Sequence, residues 1–266
     1  MAAIFLNSPM MVTFTVFSQR GSGKANNEDA VLLNGQVHQG RVREHGEVDS
    51  TQPRYFAVAD GVSISTQPRV ASRLLLELLH IHLEMAHATT SLTALLYQAQ
   101  QEFVFLSANP DLLGMATTLV GVRIAGSTVT VFNVGDSRAY LLTSDESVPR
   151  ARLLSRDHSM LNDMIDEGEI TPEQSENAAS FMRGLTSQFI ADPECDEFKV
   201  NVVSHQWLPG ERLLLCSDGL NEVLSDAEIA ALLAGDSVED LMNACKASRR
   251  AGGTDDFSVI VLSRTI

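Results

Sequence analysis

The stretch Tyr55-Phe56-Ala57-Val58-Ala59-Asp60-Gly61 decides the fold. It is apolar from Tyr55 to Ala59 and then stops at an acid and a glycine. An uninterrupted apolar run bounded by a turn signal predicts a covered sheet strand. Such a strand presents Asp60 on a rigid tip, and Gly61 lets the backbone turn and approach a neighbour closely. The construction recurs at Leu213-Leu214-Leu215-Cys216-Ser217-Asp218-Gly219. Asp136 follows the run Val129–Val134, and Asp255-Asp256 precede Phe257–Leu262. Four strands with carboxylates at or beside their ends predict one metal site assembled from distant parts of the chain.

Working outward, Val12, Phe14 and Val16 alternate with Thr13 and Thr15, which predicts a first strand rather than a signal peptide. Gly21-Ser22-Gly23-Lys24 is no nucleotide-binding loop, because Ser18 stands where a glycine is needed and Ala25 where a Ser or Thr is needed. It is a glycine-rich turn that delivers Lys24 and the acid pair Glu28-Asp29 into a short strand, Ala30–Leu33. Residues 34–54 are polar and mixed in charge, and predict a surface loop or irregular hairpin. Pro68 opens a helix whose apolar stripe is expected at Val70, Leu74, Leu78, Ile81 and Met85. A second helix carries Leu92, Leu95, Leu96, Ala99, Phe103 and Leu106 on one face. His80, His82 and His87 form no zinc constellation and are expected to be ordinary surface or satisfied histidines.

Strands are expected over 116–122 and 129–142. The segment 157–193 is the least regular, with short helices near Met160 and Pro172, and is expected to form a flap subdomain. Ser225 and Ser237 cap two last helices. Strands and helices in separate runs indicate an α+β layered fold. The whole chain, 1–266, is expected to be one domain, with residues 1–11 a dispensable extension.

The formal charge of −15, from 34 acids against 19 lysines and arginines, argues against nucleic acid or an anionic membrane as partner. No apolar run approaches the ~20 residues of a bilayer span. Three widely spaced cysteines, Cys195, Cys216 and Cys245, suit reduced thiols in a cytoplasmic protein. The candidate donor set Glu28, Asp60, Asp136, Asp218 and Asp255 is all carboxylate, which favours Mg²⁺ or Mn²⁺ over zinc. A thiolate phosphate loop is excluded, since Asn201, Glu222 and Ala251 stand where its arginine would follow each cysteine. Ala139 in Gly135-Asp136-Ser137-Arg138-Ala139 removes the hydrolase nucleophile elbow.

Six motifs stand in order: Asn26-Asn27-Glu28-Asp29-Ala30, Val58-Ala59-Asp60-Gly61, Thr117-Thr118-Leu119, Gly135-Asp136-Ser137-Arg138-Ala139-Tyr140, Leu215-Cys216-Ser217-Asp218-Gly219-Leu220 and Gly253-Thr254-Asp255-Asp256-Phe257. Together they resemble the metal-dependent 2C-type Ser/Thr protein phosphatases, especially the compact bacterial members. The resemblance implies a four-layer α-β-β-α sandwich with two central antiparallel sheets and metals at one end. It implies that Asp60 bridges two Mn²⁺ or Mg²⁺ ions, one completed by Glu28 and the Gly61 carbonyl, the other by Asp218 and Asp255. Asp136 with Asp218 would match a third-ion site, and Asp29 would act through coordinated water. Phosphorylated proteins are the implied substrates, with a cognate Ser/Thr kinase pathway. The chain departs from the family at Lys24, where the phosphate-binding residue is arginine, at Ser63-Ile64 in place of Gly-Gly, at Val62 and at Asp256. The alternative these departures suit is a catalytically weakened module that binds a phosphoprotein or kinase.

Overall fold

Strands with an apolar residue at every position need cover on both faces, and the architecture supplies it. The computed structural model describes residues 11–85, 90–145, 148–175, 179–235 and 237–265. In chain order the strands are β1 (Met11–Gln19), β2 (Ala30–Leu33), β3 (Gln36–Gln39), β4 (Val42–Asp49), β5 (Arg54–Ala59), β6 (Ala116–Thr117), β7 (Leu119–Ala125), β8 (Thr128–Val134), β9 (Arg138–Asp145), β10 (Val148–Leu153), β11 (Phe189–Ile190), β12 (Asn201–Gln206), β13 (Arg212–Cys216) and β14 (Phe257–Thr265). The helices are α1 (Pro68–Met85), α2 (Leu92–Phe105), α3 (Met160–Asp166), α4 (Pro172–Ser175), α5 (Asp218–Asn221), α6 (Asp226–Leu232) and α7 (Val238–Arg250).

One six-stranded sheet runs β10-β9-β13-β14-β1-β4 and the other β12-β8-β7-β5-β2-β3, with every pair antiparallel. The period of two then sorts the side chains. Phe56 and Val58 of β5, with Leu213 and Leu215 of β13, enter the core between the sheets. Ala57 and Ala59 face the layer containing α1 and α2, while Leu214 and Cys216 face α6 and α7. Four layers, α-β-β-α, follow from two sheets with helices on each outer face, as expected from the motifs. The capping boxes at Ser225/Glu228 and Ser237/Asp240 form as the sequence predicts.

Four expectations need correction. In α1 the buried apolar residues are Ala71, Leu75, Leu76, Leu79 and Leu83, whereas Ile81 is 54% and Met85 78% exposed. The run Leu74-Leu75-Leu76 followed by Leu78-Leu79 satisfies two overlapping helical stripes, and the position of the sheet selects one. Residues 34–54 are not a loop: β3 and β4 lie there, in different sheets, with Val42 and Val48 buried and Arg43, His45 and Glu47 facing outward. Within 157–193, Phe189 and Ala191 are fully buried against α1 and α2 and β11 pairs with β6, so the last part belongs to the body of the domain. Met11, assigned to an extension, is instead in β1, paired with Thr265 and Asp49. His87 lies outside the described residues; His82 is satisfied by Glu102 at 2.9 Å. The three cysteines are free thiols, and among the described residues no helix is long and apolar enough to cross a membrane.

Candidate active site

Both Asp-Gly strands end where another backbone passes too close for a side chain. A Cβ on Gly61 would overlap the Pro68 carbonyl at the start of α1, and one on Gly219 would overlap the Asp256 carbonyl before β14. The tip of β5 is also fastened by hydrogen bonds. The Asp60 carbonyl accepts from the Thr118 N–H and the Thr117 hydroxyl, each at 2.8 Å, and the Asp60 N–H donates to Thr118 Oγ1 at 3.3 Å. Ser217, at the head of α5, donates its hydroxyl to Asp29 Oδ2 at 2.9 Å. Ser248 donates to the Gly219 carbonyl at 2.6 Å. These contacts bring Asp29, Asp60 and Asp218 to one end of the sandwich.

Asp60, Gly61, Ser63, Asp136, Asp218 and Asp255 line a cavity of about 110 Å³. Through Asp136 and Asp218 it meets a groove of about 640 Å³, walled by Arg138, Asp157, Asn162 and Arg183 among others. Burial, then the charges of Asp29, Asp218, Asp255 and Asp136, hold the Asp60 carboxyl well above the usual carboxylate range. Burial, then Asp136 and Asp255, do the same to Asp218. Burial and the charge of Asp256 push Asp29 up to about 6, and burial with Asp157 nearby pushes Asp136 to about 6. Crowded, desolvated carboxylates resist ionisation together.

Two of their oxygens, Asp29 Oδ1 and Asp218 Oδ1, are buried without a hydrogen-bond partner. Buried polar atoms are ordinarily satisfied, and an unpaired carboxylate oxygen in an all-oxygen donor set suits a hard divalent cation. The residues therefore fit magnesium or manganese. Among the described residues no three Asp, Glu, His or Cys side chains form a finished cage; the acids ring a cavity instead, an arrangement suited to ions that keep part of their water shell.

Glu28 stands at the edge of this ring, with Lys24. The Lys24 ammonium donates to Glu28 Oε2 at 2.9 Å and to Ser63 Oγ at 2.8 Å, pairs with Asp255, and lies 3.5 Å from Asp256. Burial works against its charge, but the bonds to Asp255 and Glu28 outweigh it and raise the pKa. Ser63, which replaces a family glycine, uses its hydroxyl to join Lys24 to Glu28. The next residue, Ile64, is fully exposed.

Two residues gain roles that their motifs did not reveal. Buried Asp256 accepts from the Gly21 N–H at 2.6 Å and the Glu28 N–H at 2.7 Å, so it ties the Lys24 loop to β14. Asp157 takes a fork of hydrogen bonds from Arg138 at 2.7–3.1 Å. The signal for Asp157 was weak, an Arg-Asp-His-Ser run after β10, and only its meeting with Arg138 gives it meaning.

A double antiparallel sandwich that gathers carboxylates at one end defines a metal-binding domain of α-β-β-α class. A family profile for protein phosphatase 2C matches residues 32–252. The serine/threonine protein phosphatase PstP of Mycobacterium tuberculosis is 30% identical over 261 residues, covering 95% of this chain; its crystal structure superposes with a TM-score of 0.73 at 28% identity, over 95% of this chain and 98% of that one. The serine/threonine phosphatase stp of Listeria innocua is 31% identical over 247 residues, 85% of this chain and 93% of its own. A PstP catalytic domain in complex with two manganese ions superposes with a TM-score of 0.68 at 26% identity, over 96% of this chain and all of that one. The chain belongs to the protein phosphatase 2C family. It spans 45% of the length of the curated mycobacterial relative.

Proposed function

We propose that this protein is a Mn²⁺- or Mg²⁺-dependent protein serine/threonine phosphatase that hydrolyses phosphoserine and phosphothreonine with a water nucleophile. One observation carries the reading: acids from distant segments, Asp29, Asp60, Asp136, Asp218 and Asp255, meet at one end of the sandwich, and two of their buried oxygens lack partners. Asp60, Asp218 and Asp255 would hold two ions with Glu28 and the Gly61 carbonyl, and Asp136 with Asp218 would hold a third. Bound there, divalent ions acidify a water and neutralise phosphate oxygens.

The chain's own groups do the remaining work. Asp29, fully buried on Ser217, would accept hydrogen bonds from water on the bound ions and orient it. Lys24, held at the cavity's edge by Glu28, Asp255 and Ser63, is a cation available to a phosphate oxygen, as a single point donor rather than a fork. Leu185, Asn162 and Arg183, from the irregular segment, line the cavity and groove, so these residues are assigned to substrate binding. All five acids are present at one end of the sandwich, which supports an active phosphatase over the weakened binding module that Lys24 and Ser63-Ile64 would suit. Phosphorylated proteins are the substrates, a Ser/Thr kinase supplies them, and the free thiols support a cytoplasmic location. A single catalytic domain over 1–266 belongs to the same proposal.

The test is hydrolysis of an aryl phosphate and a phosphothreonine peptide with Mn²⁺, Mg²⁺ or chelator. Metal-dependent release from both is expected; no release with any metal would sink the assignment.

A further inference from the structure

Loop 20–27 has two working sides. Its Gly21 N–H and Lys24 ammonium engage Asp256, Glu28 and Asp255. Arg20, Ser22 and Asn26 of the same loop line a second, separate cavity of about 450 Å³. Arg41, Arg69 and Arg249 complete its charged wall, and no acid lines it. The four guanidiniums come from four places: just after β1, the turn between β3 and β4, the first turn of α1 and the last turn of α7.

Among the described residues none of the four forms an ion pair. Their protein partners are neutral. Arg20 donates to the Lys24 carbonyl, Arg249 to the Arg20 carbonyl at 2.8 Å, and Arg69 to the Gln39 amide oxygen at 3.1 Å. Converging cations without counter-charge repel one another. In a chain with 34 acids to 19 lysines and arginines, an acid-free pocket of this kind departs from the surface around it. A basic pocket on an acidic protein also focuses anions locally. Guanidinium forks match phosphate oxygens in pairs.

We propose that this arginine pocket is a second phosphate subsite, which binds another phosphorylated side chain of the substrate while the scissile phosphate occupies the acid-lined cavity. The inference rests on the phosphatase reading. It makes the protein selective for multiply phosphorylated segments, with the loop carrying Lys24 as the wall between the two subsites. Because the arginines are exposed, their replacement leaves the core untouched.

The experiment compares a peptide with one phosphothreonine, the same peptide with a second phosphothreonine several residues away, that peptide with Glu at the second position, and aryl phosphate. Wild type and an Arg41→Glu/Arg69→Glu variant are each assayed with Mn²⁺. The doubly phosphorylated peptide should have a KM about tenfold lower than the singly phosphorylated one, the effect of one or two charge-assisted contacts. The variant should lose that preference and keep wild-type rates on aryl phosphate. A second arm measures binding of the labelled peptides and of inorganic phosphate to protein inactivated by Asp60→Asn. Arginine-dependent binding there supports the subsite even if turnover fails, which would indict the phosphatase reading alone. Equal affinity for one and two phosphates, a preference that survives in the variant, or equal use of Glu and phosphothreonine overturns the proposal. So does arginine-dependent uptake of inorganic phosphate with no peptide preference, which would mark a site for free phosphate.

Discussion

Removing the charge of Asp29 should stabilise the ion-free protein while it impairs the metal-bound one. Asp29 is fully buried, its Oδ1 has no partner, and its pKa is raised from 3.8 to about 6 by burial and then by Asp256. A carboxyl raised on folding stabilises the fold fully below its unfolded value, and that contribution is lost as pH rises through about 6. At pH 7.5 the ionised group therefore costs about 3 kcal/mol, at about 1.4 kcal/mol for each pH unit of displacement. Asn has no charge to bury, and its amide can still accept from Ser217, though more weakly by about 1 kcal/mol. Asp29→Asn in chelator at pH 7.5 should thus be about 2 kcal/mol more stable than wild type in urea unfolding, or roughly 4 °C higher in Tm. At pH 5, where the buried wild-type group is already largely protonated, the cost falls to about half and the advantage should shrink to about a third. Saturating Mn²⁺ should raise the wild type more than the variant. A variant no more stable than wild type in chelator, or one whose advantage is the same at pH 5 and 7.5, would refute the crowded-carboxylate account.

Asp60→Asn and Asp218→Asn should each abolish turnover with the fold intact by circular dichroism; wild-type rates at saturating Mn²⁺ would remove that acid from the ligand set. Tm should climb with Mn²⁺, by the equivalent of about 2–4 kcal/mol at 100–1,000 times the dissociation constant, and a melting curve indifferent to ions or chelator would count against a multi-ion site. Lys24→Ala should raise KM for aryl phosphate and phosphopeptide alike, and Lys24→Arg should hold or improve kcat/KM; identical kinetics in all three proteins would return Lys24 to a structural role. Arg138→Met strands Asp157, only 8% exposed, beside Asp136, and should cost about 3 kcal/mol of stability; an unchanged urea midpoint would show the pair to be dispensable.

The strands with long apolar runs, and the acids that the structure gathers at one end, were legible without coordinates, whereas β3, β4 and β12 were not. The apolar runs of β5 and β13 and the alternation of β1 are properties of neighbouring residues, and Asp-Gly stops them wherever they pack. The ordered motifs then named the family and its acids. Partner choice was not legible, because it is settled between segments far apart in the chain. Residues 42–49 alternate like any half-exposed strand, yet only the free edge of β1 assigns them to that sheet rather than beside β3. Leucines on either side of α1 could equally have formed its stripe, and contact with the sheet buries Leu75 and Leu79 while leaving Ile81 outside. Asp256 reads as one more acid near the metals, but folding turns it towards the Gly21 and Glu28 amides. The arginines of the second cavity come from positions 20, 41, 69 and 249, and no local pattern links them. Four chain segments had to converge before their unneutralised charge became a single feature.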